Sequence, residues 1–162
     1  MTGNERTKHS MRILERLFKE YIGWPDYEAV LRRSYESFLQ PGHVVVDVGA
    51  HSGTHLEHFL RLVGRSGRVI AFEPLPDLHA GLAERFRPDG VSLAVHQMAL
   101  GRTAESSGNF VRADGSLPES GLRQRIYNAP DMVSTRTITV VVETLDRMMQ
   151  RERPSRLDYV KM

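Results

Sequence analysis

Val44-Val45-Val46-Asp47-Val48-Gly49-Ala50-His51-Ser52-Gly53 is the stretch whose reading decides the fold. Valines dominate its first half, and β-branched side chains suit an extended, packed strand. The apolar run is short, as expected of a parallel strand covered on both faces. Gly49 and Gly53 then bracket a tight turn. Beyond them Leu56, Phe59, Leu60 and Val63 recur at helical spacing, so a helix starts near Gly53. A strand, a glycine turn and a helix N-terminus together form the ligand cradle of an open α/β sheet.

The flanks extend this unit. Upstream, residues 8–21 are helical by period, with Met11, Leu14, Leu17 and Phe18 on one face, and Gly23-Trp24-Pro25 breaks the pattern. Residues 26–39 form a second helix, ended by Pro41-Gly42. These helices make an N-terminal helical extension, residues 1–41, ahead of a domain spanning 42–162. Downstream, 68–73 is a second strand, which Pro74 ends because proline cannot donate to the ladder. Residues 77–86 are a helix with Leu78, Leu82, Ala83 and Phe86 inward, and 91–96 are a third strand that exits through Gln97-Met98-Ala99-Leu100-Gly101.

This β-α-β-α-β order requires right-handed crossovers and a parallel sheet. Residues 102–136 break it and read as a hairpin or a mobile substrate-side loop, since structureless runs of that length are uncommon in compact domains. A strand at 137–142, a short helix at 145–150 and a strand at 157–162 follow, and the sequence stops inside the last of these, as a truncated protein would. The expected class is α/β: a Rossmann-like, mostly parallel sheet with helices on both faces, N-terminal helices, and an incomplete C-terminal end.

Composition narrows the chemistry. The 162 residues suffice for one real core, and the absence of cysteine excludes disulfides, thiolate metal sites and a cysteine nucleophile. A formal charge of +2 is too small to imply a nucleic-acid partner. No apolar run approaches the roughly 20 residues that span a bilayer, and the polar first ten residues lack the core of a secretory signal. The expectation is a cytoplasmic protein with neither a nucleic-acid nor a membrane partner, with homo-oligomer formation left open. The spacings of His51, His55 and His58 could put two of them on one helix side, but no nearby cysteine or third ligand completes a set, so no metal is expected. His96, Asp146 and Lys161 are candidate general bases by location only, and the catalytic residue stays unassigned.

Three ligand classes use such a turn. A Walker-type phosphate loop needs Lys followed by Ser or Thr after its second glycine, and Thr54-His55 follow Gly53 instead. A dinucleotide fold needs G-x-G-x-x-G, and from Gly49 the other glycine positions hold His51 and Thr54, so NAD is the second choice. The third class, the Rossmann-like methyltransferase, has an acid two positions before the first glycine and another glycine four further on, as Asp47, Gly49 and Gly53 do. Its ligand is S-adenosylmethionine, whose ammonium an acid near the turn can meet directly or through water and whose carboxylate the helix N-terminus favours. Glu73, at the end of the second strand, can accept hydrogen bonds from both ribose hydroxyls.

With both motifs present, the chain resembles the FkbM-type branch of class I S-adenosylmethionine-dependent methyltransferases. The resemblance is carried by Val46 through Gly53, by Gly67-Arg68-Val69-Ile70-Ala71-Phe72-Glu73-Pro74, by His96 through Gly101, by Thr144-Leu145-Asp146 and by Asp158-Tyr159-Val160-Lys161. It implies that Asp47, Gly49, Ala50 and His51 line the methionine side, that Glu73 binds the ribose and that Met98 and Ala99 flank the adenine, with Gly53 and Pro74 completing the cofactor-binding set. His51 stands where the family usually carries Asn. The family continues past Lys161 into an acidic, glycine-containing turn and further strands, expected beside the first strand. The resemblance implies methyl transfer to a hydroxyl of a small-molecule or saccharide acceptor. A non-catalytic S-adenosylmethionine-binding domain and an NAD-linked oxidoreductase are the alternatives.

Overall fold

The structure is a computed structural model that describes residues 26–86, 90, 92–114, 120–123 and 134–162. The helix expected at 8–21 lies outside the described residues. The chain divides into two compact units, Met1–Ser37 and Phe38–Met162. In the first, helix α1 (Tyr27–Phe38) begins where the Asp26 carboxylate accepts the Ala29 N–H at 2.9 Å, an acidic N-cap.

The second unit holds strands β1 (Val44–Val48), β2 (Arg68–Phe72) and β3 (Ser92–His96), alternating with helices α2 (Thr54–Val63) and α3 (Pro76–Arg85). Strands β4 (Ala99–Leu100), β5 (Glu105–Asp114) and β6 (Ser134–Glu143), helix α4 (Leu145–Glu152) and strand β7 (Tyr159–Lys161) follow. β3, β2, β1 and β7 form a four-stranded sheet in that order, and every pairing in it is parallel. The place beside β1 expected for later strands is therefore held by β7. Because the chain moves from β1 to β2 on one side and ends on the other, the strand order reverses at β1. Such a reversal opens a crevice at the carboxyl ends of the strands.

Side-chain alternation along β1 explains how the sheet is covered. Val44 and Val46 join Ile70, Phe72 and Met148 of α4 in one apolar cluster, which Val160 of β7 borders. Val45, Val69 and Ala71 point the other way and are fully buried. On that face Phe59 of α2 packs its ring on Tyr159, at 6.0 Å between centroids. Leu56, Phe59 and Val63 form the buried stripe of α2. In α3 only Leu82 is fully buried, while Leu78 and Phe86 are half-buried and Ala83 is exposed, contrary to the inward placing expected for it. The reason is that α3 covers β3, an edge strand, where one helix turn suffices.

For the described residues of 102–136 the expectation of a hairpin or a loop is met by the hairpin alternative. β5 and β6 pair antiparallel from Asp114↔Ser134 to Glu105↔Val142, and β4 adds a parallel edge to β6. Leu75, Ala99, Phe110, Val140 and Val142 form the core of this second sheet. Leu78 of α3 packs against that core, and an ionic tie adds to it: the Arg112 guanidinium grips both Asp77 oxygens at 2.7 and 2.8 Å and Asp114 through Nε at 3.0 Å. The Arg112 hydrogen bonds hold the Asp77 carboxyl down at about 2.

Two outcomes test this architecture. Ile70→Ala, at a fully buried site between sheet and α4, lowers unfolding free energy by about 2–5 kcal/mol in chemical denaturation. Asp77 contributes stability that is present above its ordinary 3.8 and lost as pH falls through about 2. Arg112→Gln returns the Asp77 carboxyl toward 3.8, read by NMR titration.

Candidate active site

The loop after β1 turns on three residues with left-handed backbone: Gly49 at φ 72°, His51 at φ 52° and Gly53 at φ 85°. Asn, Asp and His tolerate this region better than other non-glycine residues, so His51 fits the position where Asn is usual. The Gly49 and Ala50 N–H groups both donate to the Phe72 carbonyl, at 2.9 and 3.0 Å, which ties the turn to the end of β2. At Gly53 a Cβ would lie 2.3 Å from the Phe86 ring, so only glycine lets α2 start this close to the end of α3. At Gly49 a Cβ would meet nothing within 4 Å. Backbone is thus bare on the side of Gly49 that faces open space.

Two buried carboxylates flank this turn and are held differently. Both Glu73 oxygens accept backbone hydrogen bonds, Oε2 from the His51 N–H at 2.8 Å and Oε1 from the Leu75 N–H at 2.9 Å. Burial pushes its carboxyl up from the usual range, against the pull of those two bonds. Asp47 is fully buried, and its Oδ1 lies 3.1 Å from Lys161 Nζ. Burial pushes Asp47 up as well, with Lys161 opposing. The angles of this contact are those of an ion pair and not of a formed hydrogen bond.

A cavity of about 350 Å³ opens at the strand ends. That volume lies within the range of small-molecule sites. Of the residues expected on a cofactor, Gly49, His51, Glu73, Pro74, Met98 and Ala99 line it together. Asp47, Ala50 and Gly53 are not in its lining and sit in or beneath the turn. Phe72, Leu75, Phe110 and Leu122 supply apolar wall that sequence reasoning did not assign. Phe110 lies in a polar segment of short apolar pairs, and its role depends on strand pairing far along the chain. His51 Nε2 is buried beside the cavity with no hydrogen-bond partner among the described residues.

None of the candidate bases lines this cavity. His96 stacks on Phe72 and pairs with Glu152 at 3.0 Å, while Glu152 also meets Arg68. Burial lowers the His96 pKa from its ordinary value, with Glu152 opposing. Asp146 lies in the first turn of α4. His55 stacks on the Phe59 ring, at 6.2 Å, and His58 lies 3.4 Å from Arg61, so these two histidines do not converge with His51 on one point.

Residues 47–162 match the family model described as the Methyltransferase FkbM domain. Protein-L-isoaspartate O-methyltransferase 1 of Arabidopsis thaliana is 36% identical over 83 residues, covering 46% of this chain and 36% of that protein. Ribosomal RNA large subunit methyltransferase E of Vesicomyosocius okutanii is 25% identical over 127 residues, covering 78% of this chain and 57% of that protein. This chain therefore spans less than two thirds of either curated relative. Among solved structures, a putative rRNA-methylase from Clostridium thermocellum overlaps 44% of this chain and 41% of its own, at a TM-score of 0.41 and 19% identity. A SAM dependent methyltransferase from Aquifex aeolicus overlaps 52% and 43%, at 0.36 and 25%. At these scores the structural overlaps carry no inference.

The relatives overturn one expectation. A small-molecule or saccharide acceptor with no nucleic-acid partner does not stand beside relatives named for isoaspartyl protein and ribosomal RNA. The net charge misled because it averages over the chain, whereas acceptor recognition depends on where charges sit. Among the described residues no helix is long and apolar enough to cross a membrane.

Glu73→Gln gives the site its first test. An amide can accept with one oxygen only, which leaves one of the two backbone N–H groups facing an NH₂. Unfolding free energy falls by about 1–3 kcal/mol in chemical denaturation.

Proposed function

This chain belongs to the FkbM methyltransferase family, whose cofactor is S-adenosylmethionine, and we propose that it binds that cofactor in the cavity beyond β1 and catalyses methyl transfer from it. The observation that carries the reading is the convergence of Gly49, His51, Glu73, Pro74, Met98 and Ala99 on one cavity at the strand-order reversal. When bound, the sulfonium supplies an electrophilic methyl carbon that an acceptor nucleophile displaces in line.

The residues present suit such a ligand. Bare backbone at Gly49 leaves room for the amino-acid part, and the N-terminus of α2, whose Gly53 cap offers no side-chain bond, favours its carboxylate. Glu73 spends one lone pair per oxygen on the loop and keeps others for ribose hydroxyls. Met98, Ala99 and Phe72 offer apolar surface to the adenine. The chain's contribution to rate is positioning, since holding two reactants together can be worth effective molarities of about 10⁵ M or more.

The cofactor-binding unit in this reading is residues 42–162, with 1–41 an extension, and the setting is cytoplasmic. For the acceptor, the relative with the wider coverage of this chain is named for ribosomal RNA, which supports an RNA acceptor first.

Calorimetry decides the cofactor. S-adenosylhomocysteine binds saturably and NAD does not; NAD binding with none for S-adenosylhomocysteine rejects the reading. Gly49→Val, which forces a β-branched residue to φ 72° and fills the open side, weakens binding by about tenfold or more. Labelled methyl transfer to ribosomal RNA, run beside an isoaspartyl peptide, then identifies the acceptor. Cofactor binding without transfer to either rejects both acceptors.

A further inference from the structure

Lys161 lies one strand away from the acid beneath the turn. β1 and β7 run parallel, and Asp47 and Lys161 are register partners across that pair. The Lys161 ammonium sits 3.1 Å from Asp47 Oδ1, 3.0 Å from the Gly49 carbonyl and 3.4 Å from the Val48 carbonyl. Two of the three ammonium hydrogens therefore have carbonyl acceptors, and the Asp47 carboxylate adds the opposite charge. The Lys161 side chain is 14% exposed and that of Asp47 is 0%, so solvent reaches the pair only from the Lys161 side.

The peptide groups at Gly49 are thereby held from both neighbouring strands. β2 receives the Gly49 N–H at the Phe72 carbonyl, and β7 supplies the Lys161 ammonium to the Gly49 carbonyl. Asp47 is the counter-charge that keeps this ammonium in place, and it does not line the cavity.

We infer that Lys161 is a positioning residue for the cofactor turn: paired with Asp47, it fixes the Gly49 carbonyl in the left-handed turn, so that Asp47 acts on the cofactor through the turn and not by direct contact. The consequence for binding rests on the cofactor reading above, whereas the consequence for the turn does not.

The test uses the full chain, Lys161→Met and the double variant Asp47→Asn/Lys161→Met. Two readouts are taken: amide hydrogen exchange at Gly49 and Ala50 in ligand-free protein, and S-adenosylhomocysteine affinity by calorimetry. Lys161→Met leaves a buried carboxylate without its partner, so exchange at the two amides speeds by about tenfold or more and affinity falls by about tenfold or more. The double variant removes both charges and recovers at least about threefold of the lost affinity, because deleting both partners of a buried pair is milder than deleting one. Wild-type exchange in Lys161→Met overturns the inference. So does lost affinity with exchange unchanged, which assigns Lys161 a direct ligand contact, and so does a double variant no better than the single. If Lys161→Met does not fold, recovery of the fold in the double variant supports the pairing and a second unfolded variant overturns it. If the wild type binds no S-adenosylhomocysteine, the cofactor reading fails and the exchange measurement alone decides the role of Lys161.

Discussion

Everything at the site depends on β1 having a parallel partner on each side. Its pairing with β2 brings the Phe72 carbonyl to the Gly49 and Ala50 amides, and its pairing with β7 brings Lys161 to Asp47. Remove either neighbour and the turn loses the restraints that strand supplies. Parallel ladders are slanted and evenly spaced, so register alone carries the end of one strand to the end of the next. The crevice is a consequence of strand order, and the residues around it inherit their positions from that order.

Two carboxylates are buried within a few residues of one turn, which an interior tolerates only with compensation. Glu73 is compensated by two backbone N–H groups and so organises the loops that begin at His51 and Leu75. Asp47 is compensated by a full opposite charge. A single charge-bearing partner gives a less distributed restraint than two dipoles, and cutting it leaves a charge with nothing around it. The two acids serve as structural fasteners of the cavity before any ligand enters, and pre-formed polar groups of that kind add binding without reorganisation.

The far wall of the cavity comes from a separate sheet. Phe110 and Leu122 reach it because β5 folds back on β6 and residue 121 bridges Val111. Arg112, clamped by Asp77 and Asp114, joins that sheet to the start of α3, one residue beyond Leu75 and Pro76. Charge and apolar packing therefore cooperate: the cluster around Phe110 supplies the area, and the guanidinium ties the hairpin to α3.

Local sequence determined the repeating part of this protein. The valine run, the spacing of Leu56, Phe59 and Val63, and Pro74 after the second strand each announce an element through short-range sterics and periodicity, and the structure has those elements where they were read. The acids and glycines of the turn were legible for the same reason, since φ above zero and a carboxylate at a strand end are properties of a few adjacent residues. What tertiary structure alone decided was partnership across distance. That Lys161 answers Asp47, that His96 belongs to Glu152 and Arg68, that Ala83 stays in solvent, and that Phe110 walls the cavity all follow from strand order and hairpin register. Those quantities join residues up to more than a hundred positions apart, as in the hydrogen bond from Lys161 to the Gly49 carbonyl, and no window of neighbouring side chains contains them.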